Sequence, residues 1–449
     1  MKHTARLTAC LLALALTACT AAPQAMPAGT TTETAAVPVQ TVEPTTETPA
    51  MQGTLTPVYT TWGTAVGQDA VYSAMNIDDA GQYYATTIDF STGEQRILCK
   101  KPGCSHADES CPAYMTAIRN GCVPQAMLLP VGDRLYWLVD GRYNESDSAY
   151  LDVSNLDGSD RRRVAEGDDL PDLTSAYIWY TDGTALYTFV RGYDKYSVLR
   201  LDEGGAACLF TRSIPDGEDY FAVGCWQDKI VLQHSGGYLQ QPLNPAGAAA
   251  TDEELRAWLA ADEEAQKEQT KNLCLLDTAG SMTDTDMTWG GDAGNVQLVH
   301  NGAAYVLNES GLVTKFDLTA GTAQTRQLDL QGVLYGVVEG ARLDGWIPVT
   351  VRDDSEGLLN PETGVYTPLP TTWLKDQAVE RSPFIVAASD TMLLVKYGEI
   401  YYTTNDIGTD GAPYSFTTCR GEDGIISAAD YLAGSQDWVQ VTLQGRDLV

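Results

Sequence analysis

The densest chemistry in the chain lies between Cys99 and Pro112, in the stretch CKKPGCSHADESCP. Cys99, Cys104, His106 and Cys111 fall within thirteen residues, and thiolate with imidazole is a donor set that zinc takes tetrahedrally. Their spacings are not the short paired ones usual in zinc-binding domains. The C-x-x-C of redox proteins and the C-x-x-C-H of haem attachment are both missing from the sequence. Cys122 follows closely. Two disulfides among Cys99, Cys104, Cys111 and Cys122 therefore compete with a metal for the same sulfurs. Each bridge would contribute roughly 2–4 kcal/mol by restricting the unfolded chain. Which chemistry wins depends on the compartment, since disulfides persist only where the surroundings are oxidising.

Elsewhere the reactive side chains are sparse. His234 and His300 stand near the ends of predicted strands and read as structural. There is no G-x-S-x-G and no H-E-x-x-H. NLDGSD, residues 155–160, shares a few positions with a calcium loop but lacks the full twelve-residue pattern, so it reads as a hairpin turn. The pair Asp353 and Asp354 could serve a glycan hydrolase or lyase, which needs two carboxylates at a defined separation. No catalytic residue is assigned from the sequence.

The compartment is legible at the N-terminus. A short basic start precedes LTACLLALAL, an apolar run too short to span a bilayer and suited to a signal peptide over residues 1–18. Leu16-Thr17-Ala18-Cys19 resembles the bacterial lipobox, which implies cleavage before Cys19 and a lipid thioether on it. Residues 19–57 are rich in Thr, Pro, Ala and Glu without apolar periodicity, and read as a tether. The expected location is the cell membrane, lipid-anchored and facing outward, or the periplasm in a Gram-negative cell. That setting favours disulfides in the cysteine loop, with zinc as the alternative and no other cofactor expected. With 60 acidic and 28 basic residues the formal charge is −32, which argues against a nucleic-acid partner.

From residue 58 to 449 the sequence is β-rich, and RLYWLVDG, ALYTFVRG, KIVLQHSGG and AAYVLNESG repeat one strand pattern. Polar turns end at Gly93, Gly158, Gly204, Gly280, Gly321, Gly364 and Gly408. Four of the six intervals fall near the ~40–45-residue period of a propeller blade. The fold class is all-β: a β-propeller of seven four-stranded blades, or eight if VYSAMN starts its own. The expected closure joins two C-terminal strands, in IISAADYLA and DWVQVTLQ, to two N-terminal ones. The two long intervals carry inserts, the cysteine loop (99–122) and an acidic segment (245–271) predicted to be helical. Thr251 and Glu254 have capping-box spacing there, and Leu255, Trp258 and Leu259 form a short apolar stripe.

Lipobox, Thr/Pro tether, irregular blades and the LC-x-x-P-x-C-x-H…C-P stretch from Leu98 to Pro112 together resemble the propeller lipoproteins of gut-type Gram-positive bacteria, grouped with low-density-lipoprotein-receptor-like propellers. That resemblance implies a fold and a location, and no activity.

Labelling strands A to D outward from the ring centre, B–C and D–A connections emerge on one face. The acidic insert reads as a B–C connection and the cysteine loop as a D–A connection, so both are expected on that face. Other B–C loops there bring Tyr143, Asp147, Tyr150, Tyr193, Tyr196, Asp353 and Asp354, and the insert brings Trp258. Tyrosine rings among carboxylates suit a glycan or peptide. The expected function is a non-catalytic surface protein that binds or senses an extracellular ligand on this face. A scaffold for other envelope proteins and a propeller-type glycan hydrolase or lyase are the alternatives.

Overall fold

Strand B of the second blade, Arg134–Asp140, shows why the repeat becomes a ring. Leu135 to Val139 are all buried. Their side chains alternate: Leu135, Trp137 and Val139 pack toward the first blade, whereas Tyr136 and Leu138 pack toward the third. A strand with two buried faces needs a neighbouring sheet on each side, and repetition of that need closes a circle. In the computed structural model, residues 53–443 are described apart from short gaps, the longest being 77–82, 116–124, 141–148, 238–250, 335–342 and 374–379. Seven of the described sheets each hold the four antiparallel strands of a blade, spanning 64–97, 125–166, 179–213, 218–290, 295–327, 333–368 and 384–440 (blades I to VII), and a separate two-stranded sheet pairs Thr372–Trp373 with Glu380–Arg381. Seven apolar clusters occupy the seven interfaces between adjacent blades, including VII against I through Val71, Ile88, Leu394 and Ile425. The count is seven and not eight: VYSAMN belongs to strand B of blade I (Ala70–Asn76), with Thr64–Val66 as its strand A.

Six of the seven glycine turns are C–D hairpins. The leading Asp or Asn folds back on the turn, as where Asp317 Oδ1 accepts the backbone N–H of Thr319 (2.9 Å) and Ala320 (2.8 Å). Gly321 then takes the left-handed conformation that lets the chain reverse, with φ +65°. Gly408 differs. It lies outside the described residues, between strands Met392–Ile407 and Pro413–Ser427, which are B and C of blade VII. The C–D connection of that blade carries a short helix, α2 (Ala428–Leu432), capped by Ser427. The segment IISAADYLA thus ends a strand and then turns helical.

Ring closure also departs from the expected composite blade. Blade VII is completed by its own strand D, Val439–Gln440. The chain then lays Thr442–Leu443 parallel to Glu94–Gln95, outside blade I, and the Thr442 N–H donates to the Gly93 carbonyl (3.1 Å). At the other end Thr56–Val58 pairs with Trp179–Thr181, the innermost strand of blade III, so the chain joins the ring from its inner side.

The acidic insert is a 17-residue helix, α1 (Asp252–Glu268), between strands B and C of blade IV. Its capping box is formed: Glu254 Oε2 accepts the Thr251 N–H (2.8 Å), and Thr251 Oγ1 accepts the Glu254 N–H (3.3 Å). Among the described residues no helix is long and apolar enough to cross a membrane.

Thr442→Pro removes the donor that holds the C-terminal strand on blade I. It is expected to cost about 1 kcal/mol or more, read as a lower calorimetric midpoint with an unchanged β-type circular dichroism spectrum. An unchanged midpoint would show that the added strand does not contribute to closure.

Candidate metal centre

The cysteine loop is an excursion from inside a strand. Strand D of blade I runs along strand C from Glu94 to Ile97, and Ile97 pairs with Thr86. The chain then leaves, returns as Tyr114–Met115, and pairs with Tyr84 and Tyr83 of the same strand C. Ala85 closes the neck: its carbonyl accepts from Leu98 N–H (2.9 Å) and its N–H donates to the Ala113 carbonyl (2.9 Å). The expected D–A connection is therefore corrected. The true connection starts after Met115 and, with Cys122, lies outside the described residues.

The position of the loop is corrected with it. Lys100 Nζ pairs with Asp157 Oδ2 at 2.6 Å, and that pairing holds the Asp157 carboxyl far below the usual carboxylate range. Asp157 stands in the C–D hairpin of blade II, on the face opposite to α1, so the two inserts do not share a face. Gly158 in that hairpin has φ +78°, and a Cβ there would sit 2.7 Å from the Leu98 carbonyl oxygen. Arg161 completes the seam, donating from Nη1 to the carbonyls of Pro112 and Tyr114 (2.9 Å each). Its guanidinium lies 4.0 Å from the Trp137 ring centroid and pairs with Asp152 at 2.7 Å. Asp152, buried at the foot of the loop, is also paired with Arg163.

Inside the loop the backbone turns the donors inward. Lys101-Pro102-Gly103-Cys104 is a tight turn closed by Cys104 N–H to the Lys101 carbonyl (3.2 Å), with Pro102 presetting φ and Gly103 at φ +70°. His106 also takes a positive φ, +51°. One ligand atom from each of Cys99, Cys104, His106 and Cys111 lies within 4.8 Å of the others. His106 Nδ1 is 3.3 Å from Cys111 Sγ. A tetrahedral zinc with Zn–S near 2.3 Å sets its ligand atoms roughly 3.8 Å apart, so the set fits the ion after a small contraction. All four positions would be filled by protein, which is the pattern of a structural site. Hydrogen bonding from the His106 backbone holds the Cys104 thiol below its ordinary range, while burial pushes Cys111 up to about 12. The six described cysteines, these three with Cys208, Cys225 and Cys274, are free thiols.

The tyrosines predicted for the ligand face divide. Tyr150 and Tyr196 are core residues, 4% and 2% exposed. Strand alternation turns Tyr196 onto Phe189 and Tyr220, and the Arg163 guanidinium covers the Tyr150 ring at 4.1 Å. Neither offers a free ring, which corrects that assignment. Tyr143, Asp147, Tyr193, Asp353 and Asp354 lie outside the described residues. Trp258 is half-buried on α1 and Leu259 is exposed. His234 stacks on Tyr220 and bonds Asn272 (2.7 Å), and His300 pairs with Asp344 (2.8 Å).

No protein-family model and no curated protein matches the sequence. Among solved structures, BamB of Moraxella catarrhalis is similar over 76% of this chain and 81% of its own, at 12% identity and a TM-score of 0.30. AztD of Citrobacter koseri is similar over 67% of this chain and 68% of its own, at 13% identity and a TM-score of 0.31. Likeness at that level carries no inference about activity.

Asp152→Ala would leave Arg161 and Arg163 without their buried partner, at an expected cost of about 3–5 kcal/mol. Glu203→Ala, which breaks exposed pairs with Arg134 and Arg162, should cost less than about 1 kcal/mol. Thermal midpoints of the two variants measure the ordering, and equal midpoints would deny Asp152 its role at the loop.

Proposed function

We propose that this chain is an exported, lipid-anchored binding propeller that carries one structural zinc ion in its rim loop and takes an extracellular glycan or peptide on the face from which α1 rises. The observation that carries the reading is the convergence of three thiols and one imidazole in the looped-out part of strand D. A disulfide needs thiols in pairs and has no use for a histidine. Three thiols and an imidazole satisfy a tetrahedral ion completely. Cys99, Cys104, His106 and Cys111 would hold the metal, and the metal would fix the fold of the loop against blade II. Zinc also protects thiols from oxidation outside the cell, since a coordinated thiolate is no longer free to pair.

The lipid anchor is supported by the Leu16–Cys19 stretch and by a Thr/Pro-rich segment ahead of the first described strand. The binding face is supported by connectivity. The segments holding Tyr143, Asp147, Tyr193, Asp353 and Asp354 join strands B and C of their blades, as α1 does in blade IV.

Metal analysis of the purified chain should find one zinc per molecule, lost together with several degrees of thermal midpoint in Cys111→Ser or after a strong chelator. Zinc-free protein whose intact mass shows paired cysteines would falsify the metal reading. Cys19→Ser should move the protein from the membrane fraction to the medium, and unchanged fractionation would remove the anchor.

A further inference from the structure

A second site lies on the α1 face, between blades IV and V. In blade IV, Phe221 pairs across strands with Gln233, and Ser235 pairs with Lys271. These four side chains share the sheet face that packs on blade V lower down, through Val231 and Leu273. Above that apolar packing the two blades part around an open cleft of about 390 Å³, lined by Gln269, the residue that follows α1.

The polar groups of the cleft do not balance internally. Lys271 is 6% exposed, and burial lowers its pKa. Its Nζ donates to the Gly294 carbonyl (3.2 Å) and to Asn295 Oδ1 (2.8 Å), leaving one N–H uncommitted. No carboxylate among the described residues pairs with it. Asn295 Oδ1 also accepts from Gln233 Nε2 (2.9 Å), and Gln233 Oε1 accepts the Val296 N–H (2.9 Å), so both amide oxygens beside Lys271 are already engaged. Gln269 is 4% exposed and its Nε2 has no partner. A buried cation without a counterion and a buried orphan donor each carry a desolvation cost. Both costs are relieved by one anionic acceptor placed between them. Phe221, 40% exposed, stands open at the side as an apolar wall.

We infer that this cleft binds an organic carboxylate, which accepts hydrogen bonds from Lys271 Nζ and Gln269 Nε2 while its carbon skeleton lies against Phe221. That a uronic acid supplies the carboxylate rests on the glycan reading above; the anion site itself does not.

Calorimetry on the full chain with glucuronate, acetate, glucose and a uronate oligosaccharide tests this. Both carboxylates should bind and glucose should not. Lys271→Met and Gln269→Leu should each weaken glucuronate roughly tenfold or more, the scale of one charged hydrogen bond. Lys271→Met should also raise the thermal midpoint of the ligand-free protein, because it removes an unpaired buried charge; this separates lost binding from lost folding. Binding of acetate and glucuronate with no binding of the oligosaccharide would keep the anion site and sink the glycan source. Glucose binding equal to glucuronate, carboxylate binding untouched by both variants, or no carboxylate binding at millimolar concentration would overturn the inference.

Discussion

Strands buried on both faces govern this molecule. Ile230 and Leu232 pack toward blade III while Val231, between them, packs toward blade V. Ala304 and Val306 face blade IV, and Ala303, Tyr305 and Leu307 face blade VI. No blade can satisfy both faces by itself, so each is stable only between two others. At roughly 25 cal/mol per Å² of apolar surface, a single unmatched blade face would leave several kcal/mol of burial unrealised, and a closed circle leaves none.

This constraint decides where variation is tolerated. The sheets must keep their interior alternation, so extra chain is accommodated at strand ends or outside strand D. α1 uses the first route. The cysteine loop uses the second, and its Leu98, Cys111, Ala113 and Met115 stay in the apolar interface between blades I and II. The price of leaving the ladder is met locally: Ala85 bonds both sides of the break, and Arg161 satisfies the carbonyls of Pro112 and Tyr114 where the loop returns. Asp152 then has to neutralise an arginine brought beside an indole ring, which is why a carboxylate is buried at this rim.

Much of this was legible in the sequence, for identifiable reasons. The C–D hairpins were visible because an Asp or Asn followed by Gly is a local device whose hydrogen bonds span only a few residues. The capping box of α1 is local in the same way, and the four donors of the loop are recognisable from residue type and spacing. The features that escaped depend on distant partners. Nothing near Cys99 announces that Leu98 and Ala113 both pair with Ala85, so a mid-strand excursion read as an inter-blade connection and was assigned to the wrong face. Tyr150 and Tyr196 looked like loop aromatics because they begin strands, and only the register shows that they point into the core. Lys271 carries no motif; a lysine at a strand end ordinarily faces water, and only the packing of blade V buries it.

The N-terminal strand has a mechanical consequence. Thr56–Val58 is antiparallel to the innermost strand of blade III, and the Leu55 N–H reaches the Gln227 carbonyl (2.6 Å). A pull on the chain ahead of Leu55 along the strand direction loads these bonds in shear, all at once, instead of peeling them singly.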